Sequence, residues 1–222
     1  MQVAVIGLGS FGTATAEAFI ENGHEVIVID SKEERVERFS SSVVEPIVGD
    51  ATNELLLKKI GPEQLDVVVV AIGDDVEASV LTCMTLLDLG AKRIVAKAED
   101  DKHGKILKRI GVHRVVQPEQ ESARHVVDLI THPAFRELRT VGDSHVILEV
   151  PAPKSFLAKT LKDLNLRTRH GALVLAVRRP DPGGGTSSEL LAPPDPDDFI
   201  TEGDSLLIMV PVERMKEVEA WH

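Results

Sequence analysis

Three glycines near the amino terminus have the spacing of a phosphate-binding turn. Gly7, Gly9 and Gly12 fall within V-A-V-I-G-L-G-S-F-G, after a short apolar run and before a segment of helical character. In such a turn the first glycine permits the bend, the second lets backbone approach a pyrophosphate, and the third lets the helix pack on the strand. Unpaired backbone N–H groups and the positive end of the helix dipole then face an anion. Since plain glycine-rich turns share this spacing, the context must decide.

Acidic residues at the ends of the next two predicted strands supply that context. Asp30 ends the strand predicted over 25–30 and can accept hydrogen bonds from ribose hydroxyls, which disfavours a 2′-phosphate. Its alternative role is to cap the following helix, where Ser31 competes because Glu34 completes a capping box with it. Asp50, in G-D-A-T, can read an adenine amino group or cap the third helix, and both readings stay open. The turn and Asp30 together predict adenine nucleotide binding.

These residues need a parallel sheet to bring them together, and the chain predicts one. Up to about residue 131, short Val/Ile-rich runs alternate with helical periods, which indicates an α/β, Rossmann-like, doubly wound sheet. From residue 144 the pattern changes to that of a small α+β domain. We therefore predict a nucleotide-binding domain over 1–133, a connector over 134–143 and a second domain over 144–222. The loop over 180–198 receives no function.

Charge and composition exclude several classes of function. The net charge of −11 argues against nucleic-acid or anionic-membrane binding, because both require clustered Lys and Arg. The longest aliphatic run, Val67–Ile72, is too short to span a bilayer, so direct membrane insertion is not expected. The single cysteine, Cys83, excludes an internal disulfide and is typical of a reducing cytoplasm. We expect Cys83 to be a small buried apolar residue of a helix.

A dinucleotide fold first suggests a dehydrogenase, but the usual catalytic groups are missing from the sequence. It contains no tyrosine, which removes the Tyr-Lys proton relay of short-chain dehydrogenases. Its eight histidines show no H-E-x-x-H spacing, so a metal hydrolase is not expected either. The short remainder after the sheet domain leaves little chain to build a substrate pocket. The nucleotide is therefore expected to be a signal rather than a reactant. A small NAD-dependent oxidoreductase and a stand-alone nucleotide or cyclic di-AMP sensor remain the alternatives.

The chain resembles the regulatory subunits of Ktr/Trk potassium uptake systems, in which an RCK N-terminal domain precedes an RCK C-terminal domain. The matching pieces extend over nearly the whole chain: A-V-I-G-L-G-S-F-G, the I-D strand end at Asp30, G-D-A-T at 49–52, V-V-A-I-G-D-D at 69–75, I-V-A-K-A at 94–98, G-V-H-R-V-V-Q-P-E at 111–119, L-K-D-L-N-L-R at 161–167 and E-G-D-S-L-L-I-M-V at 202–210. Their order and spacing are specific, whereas any single piece is not.

The resemblance implies a non-enzymatic, cytoplasmic gating-ring subunit at the inner face of the membrane. RCK N-terminal domains pair and assemble into a ring, commonly octameric, under a separate membrane pore protein. Exchange of ATP against ADP, or of NADH against NAD, changes the ring and so the potassium flux. The residues carried over for the nucleotide are Gly7, Gly9, Ser10, Phe11, Gly12, Asp30, Ser31, Asp50, Ala51, Thr52, Ile72, Gly73 and Lys97.

Two further ligands follow from the resemblance. Glu119 matches a glutamate that helps to hold a divalent cation between two nucleotide sites; its alternative role is that of a first-turn acid favoured by the helix dipole. In some members the C-terminal domain binds cyclic di-AMP, and Arg167, Arg169 and His170 lie in the corresponding stretch, where they can equally be surface charges.

One position departs from the family pattern. Ktr-type members usually read G-L-G-R-F-G, with an arginine that reaches a terminal phosphate, whereas this chain has Ser10. A hydroxyl cannot make the bidentate, charged contact of a guanidinium. ATP, ADP and NAD(H) therefore all stay open as the ligand, and so do the pore partner and the sign of regulation.

Overall fold

The computed structural model describes residues 1–142, 144–181 and 188–221, and the chain forms two compact units, Met1–Gln120 and Glu121–His222. The division between the units lies after Gln120, whereas the prediction ends the first domain at residue 133 and begins the second at residue 144. Part of the predicted connector is also regular structure, because Glu137–Val141 is a strand of the second sheet. Residues 182–187 of the loop predicted over 180–198 lie outside the described residues.

The first unit alternates strands and helices as the sequence predicts. Its strands are β1 (Gln2–Ile6), β2 (Glu25–Asp30), β3 (Glu45–Val48), β4 (Val67–Val70), β5 (Ile94–Lys97) and β6 (Arg114–Val116). Its helices are α1 (Ser10–Glu21), α2 (Glu33–Glu37), α3 (Glu54–Lys59), α4 (Val76–Asp88) and α5 (Asp101–Ile110), and α6 (Pro118–Thr131) runs on into the second unit. Among the described residues, no helix is both long enough and apolar enough to cross a bilayer.

The six strands form one parallel sheet in the order β3-β2-β1-β4-β5-β6, which confirms the predicted doubly wound fold. All four residues of β4 are buried, as a central parallel strand covered by helices on both faces requires. Because the strands are parallel, their carboxyl ends meet at one edge. The turn after β1, Asp30 at the end of β2 and Lys97 at the end of β5 are thereby brought to the same side of the sheet.

The second unit is built on an antiparallel sheet in the order β10-β9-β11-β8-β7, so the predicted small α+β domain is also confirmed. Its strands are β7 (Glu137–Val141), β8 (His145–Pro151), β9 (Leu173–Pro180), β10 (Ser188–Leu191) and β11 (Ser205–Pro211). Its short helices are α7 (Leu161–Leu164), α8 (Leu166–His170) and α9 (Met215–Glu219), with 3-10 turns over Lys154–Phe156 and Val212–Arg214.

Two short helices, α7 and α8, follow each other with one residue between them. Thr160 opens α7 through a complete capping box with Asp163, so the helix cannot extend back through Leu157. Asn165 then takes a left-handed conformation, with φ of +45°, and separates α7 from α8. Asparagine is among the few non-glycine residues that tolerate this region.

A buried carboxylate ties three strands of the second sheet together. Glu149 of β8 accepts from Arg178 Nε of β9, at 3.0 and 3.2 Å to its two oxygens, and from Ser205 Oγ of β11 at 2.6 Å. Burial alone would raise the pKa of Glu149, but the hydrogen bonds from Ser205 and Arg178 outweigh it and hold the pKa below its usual range. The carboxylate is thus charged and satisfied inside the sheet.

Cys83 lies on α4 with no exposed surface and packs in the core of the first unit, among side chains such as Leu86 and Ile94. Burial raises the pKa of its thiol to about 12. We expect the native protein to react with a thiol reagent such as Ellman's at a small fraction of the rate seen in denaturant, because the thiolate is the nucleophile. Rapid stoichiometric labelling of the folded chain would contradict this placement.

His103 is an almost fully buried histidine on α5. Its Nδ1 accepts the Glu99 N–H at 3.3 Å, so the proton of the neutral ring is on Nε2, which has no hydrogen-bond partner among the described residues. Burial lowers the pKa of His103, and the nearby charges of Asp100 and Glu99 oppose this only in part.

The lowered pKa of His103 sets a pH dependence of stability. In the unfolded chain His103 binds a proton near pH 6.5, whereas in the folded chain its ring stays neutral to lower pH. The free energy of unfolding therefore falls as pH drops below about 6.5, by at most about 1.4 kcal/mol per pH unit. We expect His103→Leu to flatten the free energy of unfolding between pH 7.5 and 5.5, a range above the carboxylate titrations. Equal slopes for the variant and the parent in urea titrations would contradict this expectation.

Candidate functional site

A cleft of about 860 Å³ opens at the carboxyl ends of the strands of the first unit, where the strand order reverses between β1 and β4. Nearly all residues that the sequence assigned to the nucleotide or the cation line it: Gly7, Gly9, Ser10, Phe11, Asp30, Ser31, Asp50, Ala51, Ile72, Gly73, Lys97 and Glu119. The two exceptions, Gly12 and Thr52, support lining residues instead. The structure brings the predicted residues together, and their roles toward a ligand remain predictions.

The glycine turn has the local geometry that a phosphate cradle needs. Gly7 has φ of +90°, and a side chain there would crowd the backbone of Ala71 and Ile72 at 3.1 Å. A Cβ on Gly12 would lie 1.8 Å from the Gly7 carbonyl oxygen, so α1 can approach β1 only with glycine at this position. Gly9 has open space where its side chain would be, and it begins α1 without a side-chain cap. The first N–H groups of α1 therefore stay available for an anion.

Asp30 is buried at the end of β2 and organises the neighbouring backbone. Its Oδ2 accepts the Leu8 N–H at 2.6 Å and lies 3.2 Å from Arg35 Nη1, while its Oδ1 accepts the Lys32 N–H at 2.9 Å. The predicted capping box at Ser31 is wrong, because α2 begins after Lys32 and has no side-chain cap. Asp30 thus fixes the glycine turn through Leu8 and also lines the cleft.

Asp50 is exposed at the end of β3 and forms a local turn. Its Oδ1 accepts the Thr52 N–H at 2.9 Å and the Thr52 hydroxyl at 2.8 Å, which lower the pKa of Asp50. The alternative in which Asp50 caps α3 is wrong, because the Asn53 side chain makes that bond with the Leu55 N–H at 2.9 Å. Reading of an adenine amino group by Asp50 remains the prediction.

Lys97 and Glu119 meet across the cleft at 2.5 Å. The Lys97 ammonium also covers Gly73, whose Cβ would lie 3.1 Å from Nζ. Its hydrogen bond holds the pKa of Glu119 below the usual range. Across residues 1–142, 144–181 and 188–221, no three His, Cys, Asp or Glu side chains converge as metal ligands would. A cation held by Glu119 therefore needs ligands from elsewhere, and it competes with Lys97.

Sequence reasoning missed five charged side chains of the cleft: Lys32, Arg35, Asp74, Asp75 and Glu99. Asp74 and Asp75 directly follow Gly73 at a strand end, and Glu99 follows Lys97 by two residues, so their positions after β4 and β5 were a usable signal. Arg35 gave a weaker signal, because the sequence showed it only as one of several charges on a short helix.

The second unit contains a smaller cavity of about 300 Å³. Arg167 lines it together with Lys162, whereas Arg169 and His170 do not. The Arg169 carbonyl accepts from Arg214, and the His170 ring packs edge-on against Trp221 with centroids 5.2 Å apart. The predicted trio for a second ligand is therefore divided by the structure, and Lys162 joins Arg167 instead.

Solved structures with the same arrangement include the crystal structure of the GsuK RCK domain, with a TM-score of 0.54 and 23% identity; the match covers 99% of this chain and 46% of that chain. The GsuK channel bound to NAD also has a TM-score of 0.54 and 23% identity, with 100% of this chain and 39% of that chain covered. This chain thus spans less than half the length of either GsuK chain. At such identity the likeness shows the fold alone.

Curated relatives match almost end to end. The Ktr system potassium uptake protein C of Bacillus subtilis is 31% identical over 218 residues, which cover 98% of this chain and 96% of the relative. Protein A of the same system and organism is also 31% identical over 218 residues, with 98% and 95% covered.

Each of the two units contains a match to a family model. The TrkA-N domain model matches residues 3–118, which contain the whole cleft apart from Glu119, and the TrkA-C domain model matches residues 145–222. The resemblance drawn from the sequence is confirmed. The chain therefore belongs to the family of Ktr and Trk potassium uptake proteins that combine a TrkA-N with a TrkA-C domain.

Proposed function

We propose that this chain is the regulatory subunit of a potassium uptake system and binds an adenine nucleotide in the cleft of its first unit. The observation that supports this most directly is the open Gly9 position beside the buried Asp30, in a chain similar to Ktr proteins over nearly its whole length. We place it in the cytoplasm, as a homo-oligomeric ring of paired subunits, commonly an octamer, under a separate membrane pore protein.

In this proposal the nucleotide is not a reactant. The proton-transfer groups in the described lining of the cleft are carboxylates, Lys32 and Lys97, and the ammonium of Lys97 is already paired with Glu119. A ligand can open or close the pore only through the difference between its affinities for two ring shapes. Moving the population from mostly closed to mostly open takes about 5 kcal/mol of such difference. A divalent cation shared between the Glu119 residues of two subunits would add to it.

Purified full-length protein tests this function. We expect heat-denatured protein to release about one adenine nucleotide per chain, and light scattering to give the mass of an assembly of several 24.1 kDa chains. Co-expression with a pore subunit should make potassium uptake depend on the nucleotide site, as shown by Gly9→Ala. A small oligomer that oxidises NADH with a metabolite would support the oxidoreductase instead, and unchanged uptake with every pore subunit would support a stand-alone sensor.

The cavity of the second unit favours a second ligand, cyclic di-AMP. Lys162 and Arg167 supply two cationic side chains to a cavity that also has the apolar walls that a base requires. Arg167→Ala should weaken binding at least tenfold in calorimetry, whereas Arg169→Ala, outside the cavity, should leave it unchanged. Equal effects of the two substitutions, or no binding by the parent, would remove this candidate.

A further inference from the structure

We propose that the cleft prefers NAD⁺ to ATP, and that Asp74, Asp75 and Glu99 set this preference by repelling a terminal phosphate. The inference rests on the proposed nucleotide binding and names its ligand class. The evidence is the uneven distribution of charge along the cleft. Because the sheet is doubly wound, the cleft has two halves, one over β1 to β3 and one over β4 to β6, and each can hold one half of a dinucleotide.

The half over β1 to β3 is close to electrically balanced. Its carboxylates are Asp30 and Asp50, and its basic side chains are Lys32 and Arg35. Arg35 pairs directly with Asp30 at 3.2 Å. Together with the free N–H groups that follow Gly9, this half suits an adenosine and its first phosphates.

The half over β4 to β6 is strongly acidic. Asp74, Asp75, Glu99 and Glu119 line it, and Lys97 is the one basic residue in the described lining of this half. The ammonium of Lys97 already lies 2.5 Å from Glu119. Within the ranges that the structure describes, no Lys, Arg or His lies within 4.0 Å of a carboxylate oxygen of the other three acids. About three negative charges on this side therefore have no cationic partner among the described residues.

A γ-phosphate would have to enter this acidic half. Like charges within a Debye length, about 10 Å at 0.1 M salt, repel one another, and Ser10 offers a hydroxyl where an arginine would offset the charge. The nicotinamide half of NAD⁺ has the opposite character. Its ribose diol donates hydrogen bonds, which unpaired carboxylates accept, and its ring carries a positive charge. Carboxylates that exclude ATP thus stabilise NAD⁺.

A double substitution in the acidic half gives a sharp test. Calorimetry with NAD⁺, ADP and ATP in EDTA, which removes divalent cations, should show that the parent binds NAD⁺ about tenfold more tightly than ATP. Asp74→Asn with Glu99→Gln should strengthen ATP binding about tenfold and weaken NAD⁺ binding, while ADP, which does not reach this half, changes less than twofold. Asp75 is left unchanged because it caps α4 by accepting the Ala78 N–H at 2.9 Å.

The matched control is Glu21→Gln with Glu63→Gln, which changes the net charge by the same amount. Both residues are exposed and precede strands, so they lie at the opposite edge of the sheet. ATP binding that equals or exceeds NAD⁺ binding in the parent, or an equal response to the two double substitutions, would overturn the inference and leave nucleotide binding standing. Absence of binding by all three nucleotides would instead refute the proposed function.

Discussion

Gly12→Ala is expected to unfold or severely destabilise the first unit, whereas Gly9→Ala is expected to leave it folded and unable to hold a nucleotide. The two substitutions add the same methyl group three residues apart. At Gly12 the new Cβ would lie 1.8 Å from the Gly7 carbonyl oxygen and 3.1 Å from the Ala71 Cβ, so α1 must move away from β1. Overpacking against fixed backbone costs about 3 kcal/mol or more.

At Gly9 no atom lies within 4 Å of the added methyl, and φ is −69°, which alanine adopts freely. The folding cost is that of a poorer helix N-cap, about 1 kcal/mol. In the bound state the same methyl stands between the backbone and the pyrophosphate. Loss of one or two hydrogen bonds to a charged group corresponds to about 100-fold in affinity.

Circular dichroism, urea titration and calorimetry separate these two outcomes. We expect Gly9→Ala to keep the parent spectrum and an unfolding free energy within about 1 kcal/mol of the parent, with nucleotide affinity about 100-fold weaker in calorimetry. Gly12→Ala should lose cooperativity in the first unit, or express poorly. Parent-like affinity in Gly9→Ala would show that the pyrophosphate does not lie on this turn, and a stable Gly12→Ala would contradict the close approach of α1 to β1.

The first unit was predictable because its signals are local and repeated. An apolar run that ends in glycine or an acidic residue marks the carboxyl end of a parallel strand, and five of the six such ends contribute to the cleft. Asp30 illustrates both the reach and the limit of this reasoning. Its place in the site follows from spacing, but its hydrogen bond to the Leu8 N–H depends on how closely two strand ends approach.

The second unit was less predictable, since its elements depend on contacts distant in sequence. The β7 sequence, E-L-R-T-V, has a single buried residue, Leu138, and becomes a strand only because β8 pairs with it. The β10 sequence likewise has no buried residue and forms an edge strand on β9. Weakly patterned edge strands are fixed by their neighbours, which periodicity within a short segment does not reveal.

For the charges of the cleft, position was predictable from the sequence but ion pairing was not. Asp74 and Asp75 could be placed at a strand end from the sequence, yet an acid beside a lysine in sequence, as at Glu99, can be paired or unpaired in space. The structure decides this, because Lys97 pairs with Glu119 and not with Glu99, which is nearer in the sequence. Ligand preference therefore depends on pairing geometry and not on composition alone.

Asp204→Ala is expected to cost the second unit about 3 kcal/mol, the largest stability loss that we anticipate for an ion pair in this chain. Asp204 is 1% exposed and accepts four hydrogen bonds. Arg179 donates two of them, from Nε and Nη2 at 3.2 Å each, and Thr201 donates its N–H at 2.9 Å and its hydroxyl at 3.0 Å. Arg179 also donates to the Phe199 carbonyl at 3.0 Å, so one carboxylate fixes the chain that leads into β11.

Removing one partner of a buried pair typically costs 3–5 kcal/mol, and the partial exposure of Arg179 places this case at the lower end, since water can solvate the remaining guanidinium.

Trp221 is the only tryptophan of the chain and packs against Phe156 and His170 in the second unit, so its fluorescence in urea reports on this unit. The matched control in the same unit is Glu217→Ala, which removes an exposed carboxylate that lies 3.9 Å from Arg214 and should change stability by less than about 0.5 kcal/mol. Asp204→Asn keeps acceptors for Thr201 without the charge and should fall between the two. A Trp221 transition in Asp204→Ala that coincides with that of the parent would mean that the bidentate pair contributes nothing to the second unit.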